Sequence, residues 1–397
     1  MKQNNLPAFF FFTATLLAVF IFYFPTIFYE IKAFDEITPF KETYLPICFS
    51  LSEIPELISL LGLKQYFEAS NTLYSSITLI RCNPLGVLHS LLIQALFRKE
   101  PVYYHLYGLM FHLMNTALVF LILNKISILF LKNTHIFFKF ILVSTLTILW
   151  ATHPVNVESV LLLINYNNLF SYSLFLLTVY IYLDYLLNNH QLAKFSYLKF
   201  TLSVCFFLIA LFAAEYLFML PFIIFTYSLA YNLCLNCKSM PHSKAFLLSV
   251  KSSIKTTAPL FIASIIFIIS FIFSKSRINL ELQSSIPLIL ERIFWLSPQI
   301  LFHLIKLLLV PVKLSVDQTS FVIMGKTLFS PYAVFCFVFI GAGIIFSMKS
   351  LFGFKKDLPL FFIIFAPFFL SLIPFSHILA PIYTWQVKDT YIFHLLF

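Results

Sequence analysis

Charged residues are scarce in this sequence. Only 11% of its 397 residues are Asp, Glu, Lys or Arg, whereas 60% are hydrophobic and the mean hydropathy is +0.93. Soluble globular domains carry about 25% charged residues and about 45–50% apolar ones. The composition therefore excludes an ordinary soluble domain and predicts an integral membrane protein that crosses the bilayer several times.

Glycine is rare as well, with 7 residues, while phenylalanine accounts for 52. The strands of a membrane barrel alternate apolar with polar residues, but the apolar runs of this chain continue for about 20 residues without alternating. A helix satisfies its own backbone hydrogen bonds in hydrocarbon. The sequence therefore predicts an all-α polytopic membrane protein.

Clusters of basic residues are missing, although Lys and Arg outnumber Asp and Glu by 26 to 16 and give a net charge of +10. Most basic residues stand singly between apolar runs and indicate topology, because loops that carry Lys and Arg stay in the cytoplasm. Nucleic-acid binding requires such residues to gather on one face. We therefore expect membrane lipid, and no nucleic acid, as a partner.

Metal-binding motifs are lacking too. Among the six cysteines, Cys234 and Cys237 have CxxC spacing, but no second ligand pair accompanies them. A structural zinc site needs four ligands, so two unpaired thiols are the favoured interpretation. We predict no metal-binding residues, and the participation of a divalent metal stays open.

The apolar runs predict about nine crossings in a single membrane domain, residues 1–397. The first span, residues 6–29, leads to a large extracytoplasmic loop at residues 30–101. Within that loop, residues 83–97 are apolar over a length too short for a crossing, so we expect a helix lying at the membrane face. The other predicted spans are residues 103–123, 140–152, 169–187, 200–214, 216–233, 259–273, 328–348 and a last one that begins near 358.

Residues 293–312 decide the orientation of the following spans. If this run crossed the membrane, the lysines within residues 349–356 would lie outside. If it stays on the outer side, those lysines lie inside, as the positive-inside rule requires. We therefore predict a second extracytoplasmic loop at residues 274–327 that contains a non-crossing helix.

A polar patch interrupts the apolar sequence at residues 150–170. Its polar side chains are His153, Asn156, Glu158, Asn165, Asn167 and Asn168. These groups would be costly in hydrocarbon, so we expect them at the membrane surface or around a wet cavity. Residues 150–184 contain no Lys or Arg, which predicts the outer side and makes the patch a candidate site.

Several segments together resemble a known family. The segment HPVNVESV at residues 153–160, with the span that follows it, resembles the HPxxxEAV signature of the transmembrane and tetratricopeptide-repeat O-mannosyltransferases. These are GT-C glycosyltransferases, which use polyprenyl-phosphate sugars. Further similar segments follow in the family's order, namely Phe34-Asp35-Glu36, Asn83-Pro84-Leu85, Tyr104-His105-Leu106 with His112, Glu215 with Pro221, LLVPVKLSVD ending at Asp317, and residues 374–393.

The resemblance implies a GT-C-like helical bundle that moves a sugar, such as mannose, from a polyprenyl-phosphate donor to a protein or lipid hydroxyl. The reaction would take place on the non-cytoplasmic face of a bacterial inner membrane or of the endoplasmic reticulum. Asp35 and Glu36 are the implied catalytic residues. The substrate-binding residues that we predict are His105, His112, His153, Glu158, Arg277, Arg292 and Asp317.

The family's arginines are replaced by Asn83 and Tyr166, so Arg277 and Arg292 are expected to contact the donor phosphate in their stead. Alternatives stay open at other positions. The acidic pair also fits a solvated loop, and the His and Glu of HPVNVE either fix their loop as a pair or touch the sugar. The alternative function is a catalytically degenerate or transport-type membrane protein that binds lipid-linked sugar.

Overall fold

The structure is a computed structural model that describes residues 6–29, 84–97, 100–131, 134–161, 166–188, 193–236, 240–276, 297–312 and 330–352. All regular secondary structure within these ranges is helical, which confirms the all-α prediction for this part of the chain. The chain divides into two compact units, Met1–Leu217 and Phe218–Leu396.

Seven α-helices lie in the described residues of the first unit. They are α1 (Leu6–Tyr23), followed by the 3-10 turn Phe24–Phe28, then α2 (Pro84–Phe97), α3 (Pro101–Phe130), α4 (Ile136–Ala151), α5 (Pro154–Leu161), α6 (Tyr166–Asn188) and α7 (Ala193–Ala213). Three of them, α2, α3 and α5, begin with proline. Proline is favoured at a first helical position, because the amide hydrogen it lacks would have no partner there.

The second unit begins within the 3-10 turn Glu215–Met219, at Phe218, and contains four described helices. They are α8 (Leu220–Asn236), α9 (His242–Ser276), α10 (Ser297–Leu309) and α11 (Pro331–Phe352). Helix α10 has 13 residues, which corresponds to a length of about 20 Å. The hydrocarbon core of a bilayer is about 30 Å thick. This length agrees with the non-crossing helix expected at residues 293–312, which stays a prediction.

Among the described residues, five helical stretches are long and apolar enough to cross a membrane: Leu6–Phe28, Pro101–Ile128, Tyr166–Leu187, Leu217–Asn236 and Ser243–Ile269. A sixth arises if α4 and α5, which meet at a bend of 54°, form one span. Length and composition thus indicate a multi-pass membrane protein. The apolar segments at two further predicted spans, Tyr197–Ala213 and Pro331–Phe346, are shorter, and the span expected near residue 358 lies outside the described residues.

The helix at the span predicted for residues 259–273 begins earlier than expected, at His242. The sequence predicts Lys244, Lys251 and Lys255 in an inner loop before that span. These lysines instead lie on the exposed side of α9, and Pro259 lies inside that helix. Lysine is a good helix former, and membrane helices tolerate proline because neighbouring groups satisfy the freed carbonyl.

Polar side chains join α8 to α9 within the second unit. The Nδ2 atom of Asn232 donates to Ser253 Oγ at 2.9 Å, and Asn236 Nδ2 donates to Ser249 Oγ at the same distance. Both serines are fully buried. Such small polar contacts are typical of membrane helix pairs, because they let backbones approach closely and keep polar groups out of the lipid.

Candidate functional site

Polar residues of the first unit gather at two separate ends of its helices. One end, which we call the lysine end, consists of Lys125, Asp184 and Lys199. The other, the histidine end, consists of His89, His105, His112, His153 and Asn167. On α3, Tyr107 contacts His89 and precedes Lys125 by 18 residues, which corresponds to about 27 Å along the helix.

Three helices meet at the lysine end. The Asp184 carboxylate, near the end of α6, pairs with Lys125 of α3 through one oxygen and with Lys199 of α7 through the other. The Lys125 ammonium also lies 4.6 Å from the centre of the Tyr180 ring. Two ammonium groups thus lie beside one carboxylate where α3, α6 and α7 meet.

The bend between α4 and α5 is the centre of the histidine end. Because α4 stops at Ala151, the last carbonyls of that helix lack their usual partners. The Ala151 carbonyl accepts a hydrogen bond from the Tyr23 hydroxyl at 2.9 Å and one from His112 Nε2 at 3.1 Å. The Trp150 carbonyl accepts from Asn156 Nδ2 at 2.5 Å. Side chains from α1, α3 and α5 therefore stabilise the break.

His153 acts at the amino terminus of α5. Its Nδ1 accepts a hydrogen bond from the Val155 backbone amide at 3.3 Å, and its own carbonyl accepts from the Asn156 amide at 2.8 Å. These contacts satisfy amides that a first helical turn leaves without partners. They support the structural alternative for His153. Glu158 lies in α5, and its side chain is outside what the structure describes, so the expected pairing with His153 stays a prediction.

His112 is a predicted substrate-binding residue, and the structure shows how its ring contacts other residues of the chain. Besides its bond to Ala151, its ring meets Tyr23 edge-on at 4.8 Å and stacks with Trp150 at 5.9 Å. The imidazole is 2% exposed. These contacts indicate that His112 holds α1, α3 and α4 together at the bend, and substrate binding at this residue stays a prediction.

His105 lies two turns before His112 on the same face of α3. The side chain is 3% exposed. Its ring interacts with the Tyr29 backbone, although neither nitrogen has the geometry of a full hydrogen bond. Substrate binding at His105 stays a prediction.

Sequence reasoning missed His89, which connects three helices. Its Nδ1 bonds to Asn167 Oδ1 at 2.5 Å and its Nε2 to the Tyr107 hydroxyl at 2.7 Å. The amide oxygen can only accept, so Nδ1 carries the hydrogen and Nε2 accepts from the hydroxyl. The ring stacks on Phe170 at 4.2 Å, and burial lowers its pKa below the ordinary 6.5. The available signal was a histidine in a short, mostly apolar segment.

Tyr166 occupies a position where the resembled family has arginine. It is 8% exposed and packs with Ile93 and Tyr104, and its ring centre lies 5.8 Å from that of His89. The position is therefore part of an apolar and aromatic contact between α2, α3 and α6.

The other predicted site residues lie outside the described residues. They are Asp35, Glu36, Arg277, Arg292 and Asp317. Within the described ranges, no group of three His, Cys, Asp or Glu side chains could hold a metal ion.

Comparison with protein families, curated proteins and solved structures gives no match to this chain. The resemblance to the O-mannosyltransferases therefore stays a prediction that rests on the short segments given above.

Proposed function

We propose that this chain is a GT-C-like membrane glycosyltransferase with about nine crossings. It moves a sugar, such as mannose, from a polyprenyl-phosphate donor to a protein or lipid hydroxyl on the non-cytoplasmic face. The main supporting observation is the histidine end, where imidazole, amide and hydroxyl side chains from α2, α3, α6 and the start of α5 lie at the opposite end of the helices from the lysine end. By the positive-inside rule, that end faces away from the cytoplasm.

The reaction forms a bond between the acceptor oxygen and the anomeric carbon and breaks the bond from that carbon to the phosphate oxygen. The lipid phosphate leaves with the electron pair. In this proposal Asp35 takes the proton of the acceptor hydroxyl, and Glu36 orients that hydroxyl. Arg277 and Arg292 balance the charge that develops on the phosphate, because such charge is costly in a medium of low dielectric constant. Asp317 contributes to substrate binding.

A second candidate is a non-catalytic membrane protein that binds lipid-linked sugar. One observation favours it: Tyr166, at a family arginine position, is buried among aromatic side chains. A phosphate-binding cation is therefore missing at that position, and a donor could be held without efficient transfer.

The test compares sugar transfer by the parent chain with transfer by Asp35→Asn. Membranes that contain each protein are incubated with radiolabelled polyprenyl-phosphate sugars, and label on acceptors is counted. Loss of a positioned general base costs about 10²–10⁴-fold in rate. The matched control is Asp357→Asn, an acid in the segment predicted to be cytoplasmic, which we expect to transfer at the parental rate.

Two results would contradict the proposal. Transfer by purified Asp35→Asn at the parental rate would show that Asp35 is not the base. No transfer by the parent chain with any of the donors would favour the non-catalytic candidate.

A further inference from the structure

The lysine end carries more positive charge than its carboxylate balances. Asp184 pairs with Lys125 through one oxygen and with Lys199 through the other. Among the side chains that the structure describes, no other carboxylate pairs with either lysine. One positive charge is therefore left over where α3, α6 and α7 meet. Each ammonium group has three N–H donors, and Lys199 directs one of its three toward Asp184.

The three charged side chains lie at the depth expected for lipid head groups. Each of them is within one helical turn, about 5 Å, of the end of an apolar stretch. The separations along the chain are three residues from Lys125 to Ile128, three from Asp184 to Leu187 and two from Tyr197 to Lys199. Long side chains placed in this way extend to the boundary between the hydrocarbon and the head groups.

Aromatic rings beside the charged cluster support this depth. The Lys125 ammonium lies 4.6 Å from the centre of the Tyr180 ring. The Tyr185 ring packs on Phe200 with 5.3 Å between the ring centres, and Tyr197 is 73% exposed. Tyrosine is enriched at the two membrane surfaces, because its ring is apolar and its hydroxyl is polar. The leftover charge therefore faces a lipid surface and not open water alone.

We infer that the lysine end binds the phosphate of an anionic phospholipid in the cytoplasmic leaflet. The leftover positive charge matches the single negative charge of a phosphatidylglycerol head group, whereas phosphatidylcholine has no net charge. Ammonium groups form strong hydrogen bonds with phosphate oxygens, and basic pockets between helices on the cytoplasmic side bind anionic head groups. Lys199 is the most exposed of the three side chains, at 31%, so it contacts the phosphate most directly. Sugar transfer is not required for this binding.

Native mass spectrometry of the purified full chain in detergent tests the site, because it counts the lipid molecules that stay bound to the protein. Dissociation constants are measured for phosphatidylglycerol and for phosphatidylcholine with the same acyl chains. We expect phosphatidylglycerol to bind the parent chain more tightly. One basic residue near an anionic lipid contributes about five-fold in affinity. We therefore expect Lys199→Gln to weaken phosphatidylglycerol binding by about five-fold and to leave phosphatidylcholine binding unchanged.

A second variant is expected to change the affinity in the opposite direction. Asp184→Asn removes the negative charge that offsets the lysines, so we expect it to bind phosphatidylglycerol about five-fold more tightly than the parent chain does. Lys199→Arg keeps the positive charge, and we expect the parental dissociation constant. The matched control is Lys251→Gln, because Lys251 is an exposed lysine of α9 outside the cluster. We expect this control to bind as the parent chain does.

Several results would overturn this site. They are equal affinity of the parent chain for the two lipids, parental affinity of Lys199→Gln, an equal loss of affinity in Lys251→Gln, and weaker phosphatidylglycerol binding by Asp184→Asn. Displacement of the lipid by inorganic phosphate at the same concentration would show that free phosphate is the occupant and would also contradict the inference. Elution at the parental volume on size exclusion verifies the fold of each variant. If either Asp184→Asn or Lys199→Gln does not fold, the other of the two decides.

Discussion

The two ends of the first unit place their polar groups in different ways. At the lysine end, charged side chains from α3, α6 and α7 neutralise one another in part, with one carboxylate between two ammonium groups. At the histidine end, the polar groups that link the helices are imidazoles, amides and hydroxyls that bond to each other or to carbonyls left free by a helix break.

The two ends therefore fit different roles, one in orienting the helices in the membrane and the other in binding a substrate. Lysines at helix ends reach toward water and fix which end stays in the cytoplasm. Neutral polar groups cost less to bury than charges, so they can line a site close to hydrocarbon. The comparison therefore makes the histidine end the better candidate for binding a membrane-borne substrate, and the lysine end a determinant of topology.

The largest expected effect concerns the side of the membrane on which each loop lies. A different result would contradict the roles assigned to the two ends. We predict that Lys132, Lys244 and Lys355 lie on the cytoplasmic side, with the lysine end, and that Lys275, Lys313 and Lys326 lie on the other side. Single cysteines at these positions, in a chain without its native cysteines, are treated in sealed membranes with an impermeant maleimide. The two sets are expected to label from opposite sides.

The labels at positions 275 and 313 test whether residues 293–312 cross the membrane. If these two positions label from opposite sides, then residues 293–312 cross the membrane, and the second extracytoplasmic loop does not exist as predicted.

A smaller effect is expected when the lysine end loses its carboxylate. Asp184→Asn leaves Lys125 and Lys199 facing each other without an anion. The three side chains are 14–31% exposed, so the cost lies between that of a surface pair and that of a buried one, at about 2 kcal/mol in the free energy of unfolding. Denaturant unfolding in detergent measures it.

The control for this prediction removes both charges of the more buried pair. Replacing Lys125 by Met together with Asp184 by Leu leaves only Lys199, the most exposed of the three side chains, without a counter-ion, so we expect part of the lost stability to return. If Asp184→Asn is as stable as the parent, the ion cluster contributes to orientation alone.

The sequence predicted the helical segments well, because apolar runs of bilayer length leave few alternatives. It predicted helix ends less well. Lys244, Lys251 and Lys255 suggested an inner loop before residue 259, but α9 is already helical there and its polar contacts with α8 lie in this part. Helix pairing of this kind is a tertiary property and cannot be deduced from local preference.

The candidate site was predictable in part. The patch HPVNVE was recognised from its polarity, but the role of His153 at the start of α5 and that of His112 at the Ala151 carbonyl depend on the bend. His89 and Asn167 are 78 residues apart. Sequence periodicity indicates the face on which a residue lies and not the helix that this face meets, so this contact could not be predicted.

The smallest expected effect concerns pH and the histidine end. Burial lowers the pKa of His89 below 6.5, although its bond with Asn167 opposes this shift. As pH falls below about 6.5, the unfolded chain takes up a proton on this histidine that the folded chain does not yet bind. The folded state therefore loses stability toward acid, by up to about 1.4 kcal/mol per pH unit until the lowered pKa is reached. Thermal unfolding in detergent at pH 7.5 and 5.5 measures this loss, and we expect His89→Gln to show a smaller one. An equal loss in the two proteins would mean that His89 does not contribute to acid sensitivity and that the bonds to Asn167 and Tyr107 do not require a neutral imidazole.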